Sequence, residues 1–199
     1  MKKKLCGQLK LKMPTNADLR EYYERMVEKR KIKRSLKLEK VLLSRRIRTQ
    51  SGVAIVAVLT KPYPCPGRCI YCPTESGMPK SYLSNEPALM RAISEKFNPY
   101  GQVRNRLRSL ELNGHKTDKI ELIVMGGTFS FLPKHYQKWF ITECFRAAND
   151  YLNHISPISK ISLKSHLESK LFSEQKRNEK AKHRIIGLTL ETRPDYINE

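Results

Sequence analysis

The 199 residues suffice for one ordinary domain, or a domain with a tail, and a hydrophobic content of 39% supports a packed but lean core. Lys and Arg number 39 against 19 Asp and Glu, a net charge of +20, which suits a polyanionic partner, because neutralised phosphates release counterions, or is simply a charged surface with no specific partner. Five cysteines, three of them crowded together, exclude an evenly paired disulfide scaffold, and no apolar run approaches the roughly 20 residues of a membrane helix. The basic start lacks the apolar stretch of a signal peptide, so the predicted compartment is a reducing cytoplasm with no membrane partner.

In chain order, residues 1–50 come first as a basic helical segment. They hold 17 Lys and Arg against 5 Asp and Glu, with near-continuous runs at Lys2 to Lys4, Lys29 to Arg34 and Arg45 to Arg48. Residues 16–44 read as helix capped by Asn16 or Asp18, with room for a bend before Leu36. Leu19, Tyr22, Tyr23, Met26 and Val27 form its apolar stripe, and the rest is a basic face that either binds a polyanion or is simply solvated. The run VAIVAVLT, residues 53–60, predicts a strand buried on both faces. A cysteine loop follows. Residues 85–97 predict a helix with Pro87 in its first turn, and residues 99–113 a second, closed by Asn113 and Gly114.

A second strand, Ile120 to Met125, ends in Gly126, Gly127 and Thr128, and a helix from Pro133 to Leu152 follows. Polar residues 153–183 predict a loop and a helix around Lys164 to Lys182. A third strand, Ile185 to Leu190, ends in Glu191-Thr192-Arg193-Pro194-Asp195. The alternation predicts an α/β fold of parallel βα units. An eight-stranded barrel takes about 250 residues, so three units predict residues 51–199 to be the front part of an incomplete (β/α) barrel with an open edge strand.

The loop KPYPCPGRCIYCP places Cys65, Cys69 and Cys72 in a Cys-x3-Cys-x2-Cys spacing. Three thiolates on one loop can hold three irons of a [4Fe–4S] cluster and leave the fourth open. S-adenosylmethionine (SAM) can chelate that iron through its amino and carboxylate groups, and an electron from the cluster then cleaves the sulfonium to an adenosyl radical. The loop follows a strand, so it sits at the C-terminal end of the sheet, where such folds place their sites. Zinc is the main alternative and wants four ligands; here only one Cys-x2-Cys pair is complete, and a fourth would have to come from Cys6 or Cys144. A loop disulfide would strand one thiol.

Gly126, Gly127 and Thr128 suit a backbone ledge for the amino group of SAM, or a plain tight turn. Glu191 suits ribose hydroxyls and Arg193 a carboxylate or phosphate, or the two form a surface ion pair. The five histidines show no metal-ligand spacing. His115, after a helix-ending glycine, is expected to be exposed, and Trp139, Tyr136 and Phe140 to pack in the core.

RIRTQSGVAIVAVLTKPYPCPGRCIYCP, SYLSNEPALMRAI, GHKTDKIELIVMGGTFSFLP and RIIGLTLETRPDY, in this order and spacing, resemble one family: the catalytic subunit of Elongator, with its single-subunit archaeal relatives. The resemblance runs from about Pro14 to Tyr196. The short first cysteine gap is the archaeal or general radical-SAM form. The resemblance implies synthesis of 5-carboxymethyluridine at the tRNA wobble position, with acetyl-CoA as carbon source, a [4Fe–4S] cluster and SAM. It implies Cys65, Cys69 and Cys72 as cluster ligands, Gly126, Gly127 and Thr128 as the SAM turn, Lys119 as an acetyl-CoA contact and the basic segment as the tRNA-binding region. It also implies a C-terminal acetyltransferase domain, which this sequence lacks and which a separately encoded remainder could supply. The rivals are a tRNA-binding module without turnover and, more weakly, a zinc-stabilised nucleic-acid-binding protein.

Overall fold

The architecture follows from where the chain can bury alternate residues. A computed structural model describes residue 7 and residues 13–43, 45–151 and 167–197. Its elements are α1 (Asn16–Glu28), α2 (Leu36–Leu42), β1 (Ala54–Leu59), α3 (Pro87–Ser94), α4 (Pro99–Leu112), β2 (Lys119–Met125), α5 (Lys134–Asp150), α6 (Leu167–Asn178) and β3 (Arg184–Leu190). Short 3-10 turns lie at Arg46–Thr49, Phe129–Phe131 and Pro194–Tyr196.

The strands form one open parallel sheet in the order β1-β2-β3. Ala54, Val56 and Val58 alternate with Ile120, Leu122 and Val124 on one face. There they meet Val103, Leu107 and Leu110 of α4 and Phe140, Ile141 and Cys144 of α5. Full burial of side chains of this size contributes about 1.5–3 kcal/mol each. Trp139 and Tyr136 pack with Phe140, so the aromatic triplet is core, as expected.

The other face is covered less completely, and β3 is the open edge that three βα units were expected to leave. Ile186, Leu188 and Leu190 are exposed. The register slips by one residue between Ile120 and Glu121, so Ile186 is left without a partner and Gly187 stands opposite Glu121. β3 is an edge, and among the described residues no helix covers the face that carries Leu188 and Leu190. The result is the incomplete βα barrel preceded by basic helices that the sequence predicted.

The basic segment differs in detail. Thr15, rather than Asn16 or Asp18, caps α1; its Oγ accepts from Asp18 N–H while Asp18 accepts from Thr15 N–H, a reciprocal capping box. The helix ends at Glu28 instead of running on, and Arg30 turns the chain at φ 54°. Six residues at 29–34 include five cations, and like charges one turn apart oppose a continuing helix. Ser35 then starts α2. Arg34 bridges Glu24 and Glu39, both at 2.9 Å, and the Tyr23 hydroxyl accepts from Ser35 N–H at 2.7 Å, so the elbow is pinned. Residues 152–166, part of the predicted loop, lie outside the described residues, while α6 falls inside the predicted range.

Gln102 closes the free edge of β1. Its side chain accepts from Leu59 N–H at 2.8 Å and donates to Leu59 C=O at 2.9 Å, with only 3% of the residue exposed. Gln102→Leu keeps the volume and leaves two buried backbone groups unpaired. An uncompensated buried polar group costs about 1–3 kcal/mol. Urea denaturation is therefore expected to show a loss of about 2–4 kcal/mol, whereas Gln137→Leu, a partly buried position off the sheet, loses less.

Candidate functional site

The three strands end side by side, and each delivers part of one cluster of side chains. β1 runs into Thr60, Lys61 and the cysteine loop, β2 into Gly126, Gly127 and Thr128, and β3 into Glu191 and Arg193. The ends are tied through the backbone: Thr60 N–H donates to Met125 C=O, Glu191 N–H to Val124 C=O and Phe129 N–H to Glu191 C=O.

The three loop cysteines are free and partly exposed, and each faces a different neighbour. Cys65 Sγ lies 3.4 Å from Thr128 Oγ1. Cys69 Sγ accepts from Arg193 Nη1 at 3.3 Å. Cys72 Sγ lies 3.0 Å from Ser81 Oγ. Burial pushes the Cys65 thiol up, but hydrogen bonds from Thr128 and the Gly67 amide, with the Arg193 charge, outweigh it and leave the thiol below its ordinary value. Arg193 also pairs with Asp195 through two contacts, at 2.9 and 2.7 Å, which holds the Asp195 carboxyl below the usual range. At Gly67 a Cβ would collide with the Arg193 guanidinium, so any larger residue there would displace that side chain from its present position.

Glu191 is the most heavily bonded group of the site. Its Oε2 accepts from the Tyr82 hydroxyl at 2.8 Å, from Gly126 N–H at 2.8 Å and from Gly127 N–H at 3.3 Å. Gly126 and Gly127 stand at φ 129° and 98°, the left-handed region that glycine reaches without strain. A Cβ at Gly126 would also strike the buried Thr60 hydroxyl. Burial and the neighbouring carboxylate push the Tyr82 phenol well above its ordinary value.

Cys65, Cys69, Cys72, Thr128, Glu191 and Arg193 therefore come together. Glu191 and Arg193 do not pair with each other; one serves the glycine turn and the other the thiols. Lys119 does not join them. It is exposed at the start of β2, six residues before Met125, roughly 20 Å away at about 3.3 Å per residue. Sequence reasoning gave no role to Tyr82, Ser81 or Thr60, although each lies in a segment that carries the resemblance. His115 is 6% exposed rather than open to solvent, because Gly114 at φ 87° turns the chain back and brings His115 Nδ1 to 2.9 Å from Thr49 Oγ1.

Among the described residues, no three or more His, Cys, Asp or Glu side chains surround a point where a single metal ion could sit. A cubane makes a different demand, because each thiolate takes its own iron. Three thiols on one loop, with different neighbours and no fourth ligand among the described residues, fit that donor pattern better than a closed four-ligand zinc site. Cys144 cannot complete such a site: it is fully buried among α5 and the sheet, and burial raises its thiol well above the ordinary value. Cys6 lies outside the described residues.

No family model matches the chain. A tRNA uridine(34) acetyltransferase of Methanocaldococcus infernus is 44% identical over 193 residues, covering 94% of this chain and 32% of that protein. One from Dehalococcoides mccartyi is 46% identical over 152 residues, covering 76% of this chain and 30% of that protein. Human Elongator complex protein 3 is 38% identical over 169 residues, with 78% and 28% covered. The solved structure of Methanocaldococcus infernus Elp3 lacking residues 1–46 matches with TM-score 0.50 and 38% identity, over 74% of this chain and 24% of that one. The chain thus spans about a third of the length of the curated relatives it matches.

Removing the Glu191 carboxylate strands two amides and a phenol. Hydrogen bonds to a charged acceptor contribute about 1.5–3 kcal/mol. Glu191→Ala is expected to lower stability to urea by an amount in that range, and Glu191→Gln, which keeps a neutral acceptor, by clearly less. Equal losses in the two variants would show that the carboxylate does not organise the turn.

Proposed function

The chain belongs to the Elp3-like family of tRNA uridine(34) acetyltransferases, corresponding to an N-terminal portion of such a protein, and on that premise we propose that it supplies the cluster- and SAM-binding part of a radical enzyme acting on tRNA. The substrate class is the wobble uridine of tRNA, the product 5-carboxymethyluridine and the carbon donor acetyl-CoA. One observation carries the proposal: the ends of three parallel strands bring Cys65, Cys69 and Cys72 against Thr128, Ser81 and Arg193 at one end of the sheet.

Cys65, Cys69 and Cys72 would hold a [4Fe–4S] cluster through three thiolates. When bound, the cluster supplies one electron to SAM, the reductive cleavage from which radical chemistry starts. The rest is the work of this chain's own residues. Gly126 and Gly127 keep the β2 turn free of side chains, so a ligand can approach its backbone. Glu191 fixes that turn and places a carboxylate beside it, suited to the ammonium or ribose hydroxyls of SAM. Arg193 donates to the Cys69 thiol, and its positive charge is among the causes that hold the Cys65 thiol below its ordinary value. Residues 51–199 form this part, and the basic segment of residues 1–50 is assigned to tRNA.

Lys119 is assigned to acetyl-CoA. It stands exposed at the start of β2, away from the cysteine loop. No helix of the described residues is long and apolar enough to cross a membrane.

Metal analysis tests the proposal. The chain reconstituted anaerobically with iron and sulfide is expected to bind about four of each and to become brown. Cys65→Ala, Cys69→Ala and Cys72→Ala each lose the chromophore, and Cys144→Ala keeps it. One zinc per chain in place of iron would favour the zinc-stabilised alternative and overturn the assignment. In a second measurement, tRNA affinity is expected to fall steeply with salt and to weaken when Lys29, Lys31 and Lys33 are changed to Gln. Arg34 is left untouched in that variant because it pins the α1–α2 elbow.

A further inference from the structure

Most of the arginines on the helical side of the fold have carboxylate partners. Arg20 pairs with Glu24, Arg25 with Glu21, Arg146 with Glu143, and Arg177 with Asp150 and Glu174. The groove between α1 and α4, about 1560 Å³, is lined by such pairs and by Glu21, Glu95 and Glu111, so its charges largely cancel.

Arg48, Arg91 and Arg106 are among those without such a partner. Arg48 comes from the 3-10 turn before β1, Arg91 from α3 and Arg106 from α4, elements that pack along the free edge of β1. Among the described residues, none of the three makes an ion pair with any Asp or Glu. Arg91 Nη1 donates to the Pro87 carbonyl of its own helix at 2.8 Å, which brings no negative charge. Arg106 is more constrained, for its Nε is buried with no acceptor. The charges bear on one another: burial, then Arg91 and Arg48, depress the Arg106 guanidinium to about 10, and burial with Arg48 lowers Arg91.

Burying a cation without a counter-charge is costly, and placing it beside two more cations adds repulsion. A fold keeps such a cluster at lower cost when an anion spends time in it. The planar guanidinium fork matches phosphate oxygens, and Arg48, which is exposed, leaves the cluster open to solvent. The charge of the chain indicates the source of the phosphate. Arg48 ends the basic run of residues 45–48, so the cluster continues the cationic N-terminal segment onto the α/β body. A polyanion lying along α1 and α2 would reach it next.

We infer that Arg48, Arg91 and Arg106 form a binding site for a backbone phosphate of RNA, which anchors the nucleic acid to the α/β body separately from the N-terminal helices. This deepens the tRNA reading above and rests on it. The site is distinct from the thiol loop, since it is built from the helices that flank the β1 edge.

The test uses the 199-residue chain and two double variants of equal net charge. Arg91→Gln with Arg106→Gln removes the cluster, and Lys170→Gln with Lys176→Gln removes two exposed cations of α6. Affinity for a tRNA transcript is read by fluorescence anisotropy across a potassium chloride series. The cluster variant is expected to bind about ten-fold more weakly and to show a log–log salt slope shallower by about one, the value of one phosphate contact. The α6 variant stays close to wild type. In a second arm, inorganic phosphate against chloride at matched ionic strength is expected to raise the wild-type melting temperature by roughly 3 °C and not that of the cluster variant. Equal weakening by both variants, or no phosphate effect on wild type, overturns the inference. A wild-type chain that binds no tRNA ends the tRNA reading and the RNA assignment with it, while the phosphate arm, which uses no RNA, still decides whether the three arginines form an anion site. A phosphate effect lost in the cluster variant, with an unchanged tRNA slope, overturns the assignment to RNA.

Discussion

A single residue at the end of an edge strand holds the site together. Glu191 donates its N–H to Val124 and accepts from Phe129 through its carbonyl, so its backbone continues the β3 pairing and fixes the chain after β2. Its carboxylate gathers both glycine amides of the β2 turn and the phenol of Tyr82 from the segment after the cysteine loop. Three stretches that are distant in sequence thus meet at one group. Thr128, directly after those glycines, faces Cys65, and Arg193, two residues beyond Glu191, faces Cys69. The thiol loop is held by the strand ends as well as by its own bonds, from the Gly67 amide to Cys65 and from Cys72 N–H to Cys69 C=O.

That arrangement explains why the sheet's exposed edge is compatible with an ordered site. Ile186, Leu188 and Leu190 carry their exposure along the length of β3, whereas the bonds of Glu191 lie beyond its C-terminal end. The helix-facing core of β1 and β2, with Val56, Val58, Leu122 and Val124 fully buried, supports the two strands that end in the cysteine loop and the glycine turn. Charge divides the molecule in a complementary way. Acids of α1, α2, α5 and α6 neutralise most arginines on the helices, while cations remain at the elbow after α1, at Arg48, Arg91 and Arg106, and on the exposed face of α6.

Much of this was legible in the sequence because the signals were local. Short Val- and Ile-rich runs marked the strands, Pro87 and the Asn113-Gly114 pair marked helix ends, and a Cys-x3-Cys-x2-Cys loop directly after a strand marked the end of the sheet that matters. The misses share one cause: they depend on partners that sequence does not place. Thr15 outcompetes Asn16 as a cap because Asp18 returns its hydrogen bond. The long first helix breaks because five cations in six residues oppose a further turn and Arg34 has an acid on each side of the break. Burial of His115 depends on Thr49, 66 residues away. Tyr82 lies 109 residues from Glu191, and nothing in its own neighbourhood announces the contact. The exposure of β3 is what an open edge leaves, and it is set by which neighbours cover the strand.

The central claim is that three strand ends present Cys65, Cys69 and Cys72 so that a cluster bound there keeps one iron open to SAM. The most direct measurement is the electron paramagnetic resonance spectrum of the anaerobically reconstituted chain after one-electron reduction, recorded with and without SAM. The account predicts a [4Fe–4S] signal whose g-values change when SAM is added, because the ligand joins the cluster at the open iron. The change is predicted to weaken in Glu191→Ala, which frees the turn beside it. A signal unaltered by SAM would mean that no iron is open, and would contradict the account.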